Sequence, residues 1–339
     1  MKASLQNIHN EFLESGVQSE LHVPLAPLTT YAVGGVAECV VRARSLEDVR
    51  SIARIGSQHS HVPVFVLGRG SNVLVADSGF DGIAILVSTP VADTHISVTG
   101  NLVEAPASMT MPVLARRSVA ANRAGLEWCV GIPGTVGGAV RMNAGGHGAE
   151  IVDSLVSATI VSLKSGVESI VPVADLGLHF RGSALSGHHV VVSATFTTTE
   201  GTSEEGTQLI NEIVSWRRDH QPGGRNAGSV FVNPSPGKGS AGALIDAAGL
   251  RGYACGGASV SEKHANFIQA TDSATAGDIV AVMKHVQEEV ERVHGVRLRS
   301  EVHLLGFDSQ TADQFADPRH SEPERMSALH HVAHLLGEI

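Results

Sequence analysis

The chain has 339 residues, of which 42% are hydrophobic and 17% are charged. This composition indicates a globular protein long enough for two or three domains, and it excludes a disordered chain. The formal net charge of −10, the lack of a long run of lysine or arginine, and the aromatic content of only 4% argue against a nucleic-acid partner.

The patterns of cysteine, histidine and apolar residues argue against a metal-binding protein, a disulfide-stabilised protein and a membrane or secreted protein. Cys39, Cys129 and Cys255 lie far apart, so neither a zinc site nor a disulfide framework is predicted. Among the eighteen histidines, His330 and His334 share one helix face but lack a third ligand, so no metal is predicted. No apolar run approaches the roughly 20 residues that span a membrane, and the polar N-terminus is unlike a signal peptide. A cytoplasmic protein without a membrane partner is expected.

Short helices and strands are predicted to alternate along the first part of the chain. Ser45 is a helix N-cap, because Asp48 follows three residues later and apolar residues then recur at helical spacing. The β-branched run over 62–67 is typical of a buried strand. The predicted elements, in order, are a helix over 1–20, a strand over 28–41 interrupted at Gly34 and Gly35, a helix over 45–58, strands over 62–67, 73–76 and 83–87, a strand pair over about 93–105, and a helix over 112–124.

The second part of the chain starts with a sheet and then becomes helical. Period-two alternation over 151–200 predicts an antiparallel or mixed sheet. The polar stretch 199–206 is typical of a linker. The elements predicted after it are helices over 209–218, 239–248 and 275–294, a strand over 302–305 that closes this domain, and a polar appendage over 308–339 that ends in a short amphipathic helix.

Three glycine-rich loops stand out, at Gly34–Gly35, 68–72 and 131–138. The longest glycine-rich stretch has seven glycines in the eighteen residues 131–148. Such loops expose backbone N–H groups that can cradle phosphate oxygens, although each alone is also typical of a tight turn without a ligand. The stretch at 68–72 lacks the third glycine of a Rossmann fingerprint and leads into a strand, and no P-loop motif occurs. The three together indicate a dinucleotide whose pyrophosphate passes close to bare backbone.

A set of motifs in one order along the chain carries a family resemblance. These are LTTYAVGG (28–35), LGRGSNVLVAD (67–77), GLEWCVGIPGTVGGA (125–139), NAGSVFVNP (226–234), GALIDAAGLRG (242–252), VSEKHANF (260–267) and LRSEV (298–302). Over roughly residues 24–306 the chain resembles the UDP-N-acetylenolpyruvoylglucosamine reductase family. The intact IPGTVGGA segment and the short link from Asp153 to Arg181 resemble the shorter subtype, which lacks a tyrosine-bearing loop over the substrate.

The resemblance implies an α+β fold with a two-part FAD-binding domain of the vanillyl-alcohol-oxidase type and a C-terminal α+β substrate-binding domain. The implied divisions are an N-terminal arm (1–29), the FAD-binding domain with two α+β subdomains (30–202), the substrate-binding domain (203–307) and a C-terminal appendage (308–339). The appendage lies beyond the last motif, so it is expected to be dispensable for catalysis.

The resemblance also implies a reaction. NADPH reduces a non-covalently bound FAD, and a UDP-sugar then receives the hydride, giving UDP-N-acetylmuramate for peptidoglycan precursor synthesis. Residues expected to bind FAD are Gly34, Gly35, Leu67, Gly68, Arg69, Gly70, Ser71, Asn72, Gly131, Ile132, Pro133, Gly134, Thr135, Gly137, Gly138, Asn143 and Gly148. A monomer is expected.

Three residues match the catalytic positions of the family. Ser229 matches the serine that protonates the substrate carbon C2, and Arg181 with Glu301 matches the pair that stabilises the enol form. Taken by residue type alone, each is more typical of an ordinary turn serine, a solvated loop arginine or a solvated acid. Residues expected to contact the substrate are Asn233, Arg217, Arg225 and His264.

The chain departs from the family pattern at three places. Phe180 replaces a tyrosine before Arg181, the segment 104–108 replaces a glycine-rich loop, and His220 stands near a family lysine. Two other functions compete with the reductase interpretation. An FAD-dependent oxidase of the same fold, acting on an alcohol or sugar lactone, would keep the glycine loops but has no use for 226–234 or Glu301. A non-catalytic flavin-binding or scaffold protein has no need of Ser229, Arg181 or Glu301.

Overall fold

The structure is a computed structural model that describes residues 2–88, 95–234, 237–316 and 323–339. Its helices are α1 (Lys2–Glu14), α2 (Leu46–Gln58), α3 (Met111–Ala120), α4 (Val136–Met142), α5 (Ile151–Ser154), α6 (Ser203–His220), α7 (Ala241–Ala247), α8 (Ala276–His294), α9 (Ser309–Phe315) and α10 (Pro323–Leu335). Its longer strands are β1 (Gln18–Pro24), β2 (Val36–Ala43), β3 (Val64–Leu67), β4 (Val73–Val75), β5 (Phe80–Val87), β6 (Ser97–Thr99), β7 (Leu102–Pro106), β11 (Leu155–Ser162), β12 (Glu168–Pro172), β13 (His189–Thr197), β16 (Ala258–Val260), β17 (Ile268–Ala270) and β18 (His303–Leu305). The two-residue strands are β8 (Arg123–Ala124), β9 (Gly145–Gly146), β10 (Ala149–Glu150), β14 (Thr199–Glu200) and β15 (Ala254–Cys255). Residues 93–94 of the predicted strand pair and 317–322 of the predicted appendage lie outside the described residues.

The first part of the chain forms a four-stranded mixed sheet in the order β1-β2-β5-β3. β1 runs antiparallel to β2, whereas β2 and β3 run parallel to β5. Helices α1 and α2 bury Ile8, Phe12 and Ile52 against one face. Leu25 and Leu67 belong to a second cluster on the sheet. Strands covered on both faces need near-continuous apolar runs, which explains the Val and Ile content of β2 and β5.

The second sheet is antiparallel, in the order β12-β11-β13-β7-β6, with α3 and α4 packed on it. The period-two pattern over 151–200 is therefore confirmed as antiparallel. The helix predicted over 112–124 is shorter than expected, because it ends at Ala120 and Asn122 adopts a φ of +56°. Residues Arg123–Ala124 then pair with Thr199–Glu200, which shows that part of the predicted linker is a strand.

The third part packs α7 and α8 on the three-stranded sheet β15-β16-β17. α8 matches the predicted helix over 275–294. Thr275 accepts a hydrogen bond from the Asp278 backbone, and Asp278 accepts one from the Thr275 backbone, which forms a capping box. Gly295 ends the helix at a φ of +65°, a left-handed conformation that suits glycine.

Several local predictions are wrong for identifiable reasons. The predicted helix over 1–20 ends at Glu14, because residues 18–24 alternate and pair with β2. The predicted strand over 28–41 begins only at Val36, after the 3-10 turn Ala26–Leu28. The polar stretch 199–206 also contains a helix start, since the Thr202 hydroxyl accepts a hydrogen bond from the Glu205 backbone and caps α6.

The strand at the end of the second half does not close a separate C-terminal domain. β18 pairs in parallel with β4, so that His303 lies beside Val73 and Leu305 beside Val75. The Asn72 carbonyl accepts a hydrogen bond from the His303 backbone N–H at 3.0 Å. Residues 303–305 therefore belong to a sheet with residues 73–75, in the first part of the chain.

The described residues 308–316 and 323–339 of the predicted appendage pack against the rest of the chain. Phe315 of α9 is 2% exposed in the core around α8, and Val332 and Leu336 are fully buried in the core of the antiparallel sheet. The Pro and polar residues of this segment obscured the buried apolar positions. The segment therefore contacts both main cores.

Gly34 and Gly35 are required by contact between chain segments. A methyl group on Gly34 would lie 2.6 Å from the Val75 carbonyl oxygen, and one on Gly35 would lie 2.5 Å from the Asp77 carbonyl oxygen. Gly34 also has a φ of +107°. The two glycines allow the segment before β2 to pack directly on β4 and the turn after it.

We expect the variant Gly34→Ala to lower the free energy of unfolding by about 1–3 kcal/mol more than Gly125→Ala, because of overpacking. Gly125 is the matched control, since it has a φ of +108° but nothing within 4 Å of an added methyl group. Urea unfolding followed by circular dichroism measures both. Equal losses in the two variants would show that the contact with Val75 is unimportant.

Candidate active site

A cleft of about 480 Å³ lies between the glycine loops and the third part of the chain. One wall is the loop 68–72, which follows β3, and another is the loop 131–135, which precedes α4. The far wall is formed by residues around Ser229, Asn233 and Glu301. Concave sites of this size, with few polar groups in apolar surroundings, are where proteins commonly bind cofactors and substrates.

The two glycine loops touch each other. A methyl group on Gly68 would lie 2.6 Å from Thr135 Oγ1, and one on Gly134 would lie 3.1 Å from Ser71 Oγ. The Ser71 hydroxyl also donates a hydrogen bond to the Pro133 carbonyl. Side chains larger than hydrogen at these glycines would fill the space at the loop junction, so bare backbone faces the cleft.

Arg181 is held in a fixed position by charged and aromatic neighbours. Its Nη1 lies 3.1 Å from Glu150 Oε1, and its Nε lies 3.2 Å from Glu301 Oε1. The guanidinium carbon also lies 4.6 Å from the centre of the Phe180 ring. The backbone φ of +58° is uncommon for a residue other than glycine. Such a conformation persists only where the surroundings enforce it, as they do here.

Glu301 is a half-buried carboxyl beside Arg181, and its side chain is 19% exposed. Burial raises the pKa of Glu301 to about 7, against the opposing effect of Arg181. Its backbone N–H donates to the Val230 carbonyl at 2.8 Å, and its carbonyl accepts a hydrogen bond from Asn72 Nδ2 at 3.0 Å. At neutral pH this carboxyl is therefore able to donate or to accept a proton.

Ser229 lies on a turn that Asn226 and Asn266 hold in place. The Asn226 side-chain oxygen accepts a hydrogen bond from the Gly228 N–H at 3.0 Å. The Asn266 amide bonds both backbone groups of Phe231, at 2.9 and 2.8 Å. Because Val230 also accepts the Glu301 N–H, Ser229 and Glu301 lie on directly bonded neighbouring segments.

A cationic and aromatic group lies at the end of α6 that borders the cleft. Arg217 Nε donates to Gln221 Oε1 at 2.8 Å. The Trp216 ring stacks on His220 at 4.6 Å between centroids and meets His147 edge-on at 5.1 Å. Burial, and then the charge of Arg217, lower the pKa of His147, so its ring is neutral at pH 7.

The structure brings most of the predicted site residues into this cleft. All three predicted catalytic residues line it. So do predicted cofactor and substrate residues, namely Leu67, Gly68, Arg69, Gly70, Ser71, Asn72, Gly131, Ile132, Pro133, Gly134, Thr135, Gly138, Arg217 and Asn233. Their roles stay predictions, but the structure brings them together from five separate parts of the chain.

The remaining predicted residues do not line the cleft, and their roles stay predictions. Besides Gly34 and Gly35, they are Gly137, Asn143, Gly148, Arg225 and His264. Gly137 is needed because a methyl group there would lie 2.9 Å from the Ala107 side chain, and Gly148 because its φ is +84°.

Arg225 and His264 have partners outside the cleft. Arg225 forms an ion pair with the exposed Asp272 at 2.8 Å. His264 packs edge-on against Phe267, with ring centroids 4.8 Å apart. Their predicted contact with the substrate stays a prediction.

Asn143 has a supporting role that the sequence did not predict. It has a φ of +40°, and its side-chain amide donates to Glu150 Oε2 at 3.0 Å. Glu150 in turn pairs with Arg181, so Asn143 acts on the cleft through two neighbours. Glu150 and Asn266 were also missed. Asn266 lies within a motif quoted above, and a polar residue that is 4% exposed is the signal that marks it.

The described ranges lack two features, a metal-binding group of side chains and a membrane-spanning helix. Within them, no group of three His, Cys, Asp or Glu side chains is placed to hold a metal ion. No helix in those ranges is long and apolar enough to cross a membrane.

Comparisons with known proteins agree with this geometry. Residues 37–168 match the family described as FAD binding domain, and residues 220–305 match the family described as UDP-N-acetylenolpyruvoylglucosamine reductase, C-terminal domain. A reductase of that name from Synechococcus sp. (strain RCC307) is 40% identical over 287 residues, covering 84% of this chain and 93% of the relative. The relative from Paramagnetospirillum magneticum is 39% identical over 285 residues, covering 84% and 91%.

A solved structure is similar along most of the chain. The crystal structure of UDP-N-acetylenolpyruvylglucosamine reductase from Thermus caldophilus superposes with a TM-score of 0.72 at 31% identity, covering 85% of this chain and 98% of that one. The predicted fold class, an α+β flavin-binding part of the vanillyl-alcohol-oxidase type followed by a C-terminal α+β part, is confirmed.

Proposed function

Because the chain belongs to the UDP-N-acetylenolpyruvoylglucosamine reductase family, we propose that it reduces UDP-N-acetylenolpyruvoylglucosamine to UDP-N-acetylmuramate with NADPH as the hydride donor. The chain is an FAD-dependent oxidoreductase. We further propose that this reaction supplies peptidoglycan precursors. The observation that carries the proposal is the Arg181–Glu301 pair and Ser229 in one cleft, beside two touching glycine loops.

The residues of the cleft fit FAD. The loops 68–72 and 131–135 present bare backbone, which can approach a pyrophosphate closely. Arg69 also lines this end of the cleft and supplies a positive charge. When bound, FAD supplies hydride transfer between NADPH and carbon C3 of the enolpyruvyl group.

Arg181 and Glu301 are placed to stabilise the charge that follows hydride addition. Addition at C3 leaves an electron pair at C2, conjugated with the substrate carboxylate. Arg181 provides a positive charge that is held in place before the substrate arrives, and Glu301 in its protonated form provides a hydrogen-bond donor. Since burial keeps this carboxyl protonated up to about pH 7, the site does not add a second negative charge beside the enolate.

Ser229 is placed to deliver the proton that completes the reaction. Its hydroxyl donates the proton to C2 as the electron pair there collapses into the new C–H bond, and it regains a proton from solvent. A serine is a weak acid, but a carbanion is a strong base, so the transfer is favourable. The hydrogen bonds of Asn226 and Asn266 to the turn hold the hydroxyl at a constant position.

The competing function is an FAD-dependent oxidase of the same fold, acting on an alcohol or a sugar lactone. Such an enzyme removes a hydride from its substrate and needs a base to accept a proton. An oxidase has no use for the segment 226–234, whereas residues 220–305 match the C-terminal domain of the reductase family. The reductase is therefore the better-supported function.

The test is anaerobic stopped-flow spectroscopy of the purified yellow protein. We expect acid or heat to release the flavin, which shows non-covalent binding. NADPH should bleach the flavin, and UDP-N-acetylenolpyruvoylglucosamine should restore its colour within the turnover time. Reoxidation by oxygen but not by this substrate would support the oxidase and contradict our proposal.

The assignment of functions to segments of the chain is also part of this proposal. We assign flavin binding to residues 30–202, substrate binding to 203–307 and an N-terminal arm to 1–29. The monomeric state and the cytoplasmic location stay predictions, as does the absence of a nucleic-acid partner.

A further inference from the structure

A second cavity of about 370 Å³ lies behind the Arg181–Glu301 pair. Arg181, Glu301, Phe180 and His303 line both this rear cavity and the front cleft. The pair therefore forms part of the partition between the two spaces. The rear cavity is bordered on its other sides by Phe315 and Ala316 and by Arg325, Ala328 and Leu329 of α10.

The described residues 309–316 and 323–339, here called the C-terminal clamp, contact the backbone next to Glu301. The Phe315 carbonyl accepts a hydrogen bond from the Ser300 N–H at 3.1 Å. The Gln314 carbonyl accepts another from Gln287 Nε2, which also bonds the Leu298 carbonyl. Phe315 is 2% exposed, so this attachment has a buried anchor.

The same clamp contacts the loop that carries Arg181. A methyl group on Gly177 would lie 2.7 Å from the Ala328 methyl carbon, so α10 touches the loop backbone directly. The His331 ring lies 3.0 Å from the Asp175 carboxylate, just before that loop. Any change in the position of α10 must therefore move the loop or leave a gap beside it.

The clamp is fastened at its far end by buried groups. Val332 and Leu336 are fully buried. The Glu338 carboxylate lies 3.0 Å from His189 Nε2, and the side chains of both residues are under 10% exposed. The Ser162 hydroxyl donates to the same carboxylate at 2.6 Å. These contacts tie α10 to β11 and β13, which belong to the rigid antiparallel sheet.

We propose that the C-terminal clamp is a positioning element for the reaction, which sets the placement of Arg181 relative to Glu301 and closes the rear of their pocket. This inference rests on the proposed function, because it concerns the half-reaction that those two residues serve. It is also contrary to the expectation from sequence that residues 308–339 are dispensable. A shift of about 1 Å in a positioning group is enough to cost a reaction about 10²-fold.

The first test is the variant Ala328→Leu, measured one half-reaction at a time. The larger side chain adds bulk where α10 meets Gly177 and the rear cavity, so we expect it to displace the Arg181 loop. We expect reoxidation of the flavin by UDP-N-acetylenolpyruvoylglucosamine to slow by about 10- to 100-fold, while flavin reduction by NADPH stays near the rate of the unchanged protein. Ala328→Ser, which keeps a small side chain, should restore reoxidation. Met326→Leu is the matched control, because Met326 lies on the same helix and is 54% exposed.

The second test is a chain that ends at Ala316, which keeps Phe315 but lacks α10. It should bind FAD and be reduced by NADPH, yet be reoxidised at least about 10-fold more slowly. If it fails to fold, Ala328→Leu decides, with its melting temperature confirming that it is folded. Equal slowing of both half-reactions, or no slowing of either, overturns the proposal. A failure of the proposed function is distinguishable, since the unchanged protein itself would then not be reoxidised by the substrate.

Discussion

Replacing Ser229 with alanine should slow reoxidation of the flavin by UDP-N-acetylenolpyruvoylglucosamine at least about 10²-fold, the lower end for loss of a general acid. The hydroxyl is needed only when C2 takes its proton, after hydride has left the flavin. Reduction of the flavin by NADPH does not use that proton and should keep its rate. Single-turnover stopped-flow spectroscopy measures the two steps separately.

A control variant and a contrary outcome define the test of Ser229. Ser273→Ala is the control, because Ser273 is an exposed serine of the same part of the chain and does not line the cleft. If Ser229→Ala slowed reduction and left reoxidation intact, the proton-donor role would be wrong. A role in holding the turn at Gly228, whose φ is +77°, would then be the better explanation of the slower reduction.

The rate of reoxidation should fall as the pH rises through about 7. Burial raises the pKa of Glu301 to about 7, so the carboxyl is protonated below that pH and ionised above it. The ionised form places a negative charge beside the developing enolate and no longer donates a hydrogen bond. We therefore expect full activity in this half-reaction on the acidic side and a roughly tenfold loss per pH unit on the basic side.

The variant Glu301→Gln identifies the group responsible for that pH dependence. Its amide has no proton to lose and donates a weaker hydrogen bond than the neutral carboxyl, so the fall in rate at basic pH should disappear, at a reoxidation rate below that of the unchanged protein at acidic pH. The other charged groups at the pair are Arg181, Glu150 and His303. Glu150→Gln is the control, because the fall in the reoxidation rate at basic pH should persist in this variant if Glu301 causes it. If the reoxidation rate of Glu301→Gln still fell at basic pH, another group would be responsible for the pH dependence.

The catalytic positions were predictable from the sequence because ordered motifs carry them. Ser229, Arg181 and Glu301 were each placed by a motif, and the cleft brings all three together. Helix α8 was equally clear, since its capping box, apolar face and terminal glycine all agree. Where several local signals point the same way, sequence reasoning is dependable.

The glycine loops show where that reasoning stops. Gly68 and Gly34 look alike in the sequence, and each packs on another chain segment, at Thr135 and Val75, but Gly68 also borders the cleft. Close approach of a ligand and close approach of another chain segment both require a missing side chain. Only the three-dimensional neighbours distinguish the two requirements.

Pairing between strands that lie far apart in the sequence could not be predicted either. The sequence predicts a strand over 302–305 but does not say that its partner is β4. The buried residues of the tail, such as Val332 and Leu336, lie four apart among polar neighbours and give a weak amphipathic signal. Partners more than 200 residues away leave no local trace in the pattern.

The pairing of β4 with β18 also has a consequence for the timing of biosynthesis. Asn72 and Glu301 bond across 229 residues, so the first is made well before the second. At about 5–20 residues per second, ribosomes leave β4 without this partner for roughly 10–50 s. The nascent first half can form its sheets during that time, but the edge of β4 stays available to other chains. The pocket is complete only after Glu301 and β18 have been made, so β4 can pair wrongly until then.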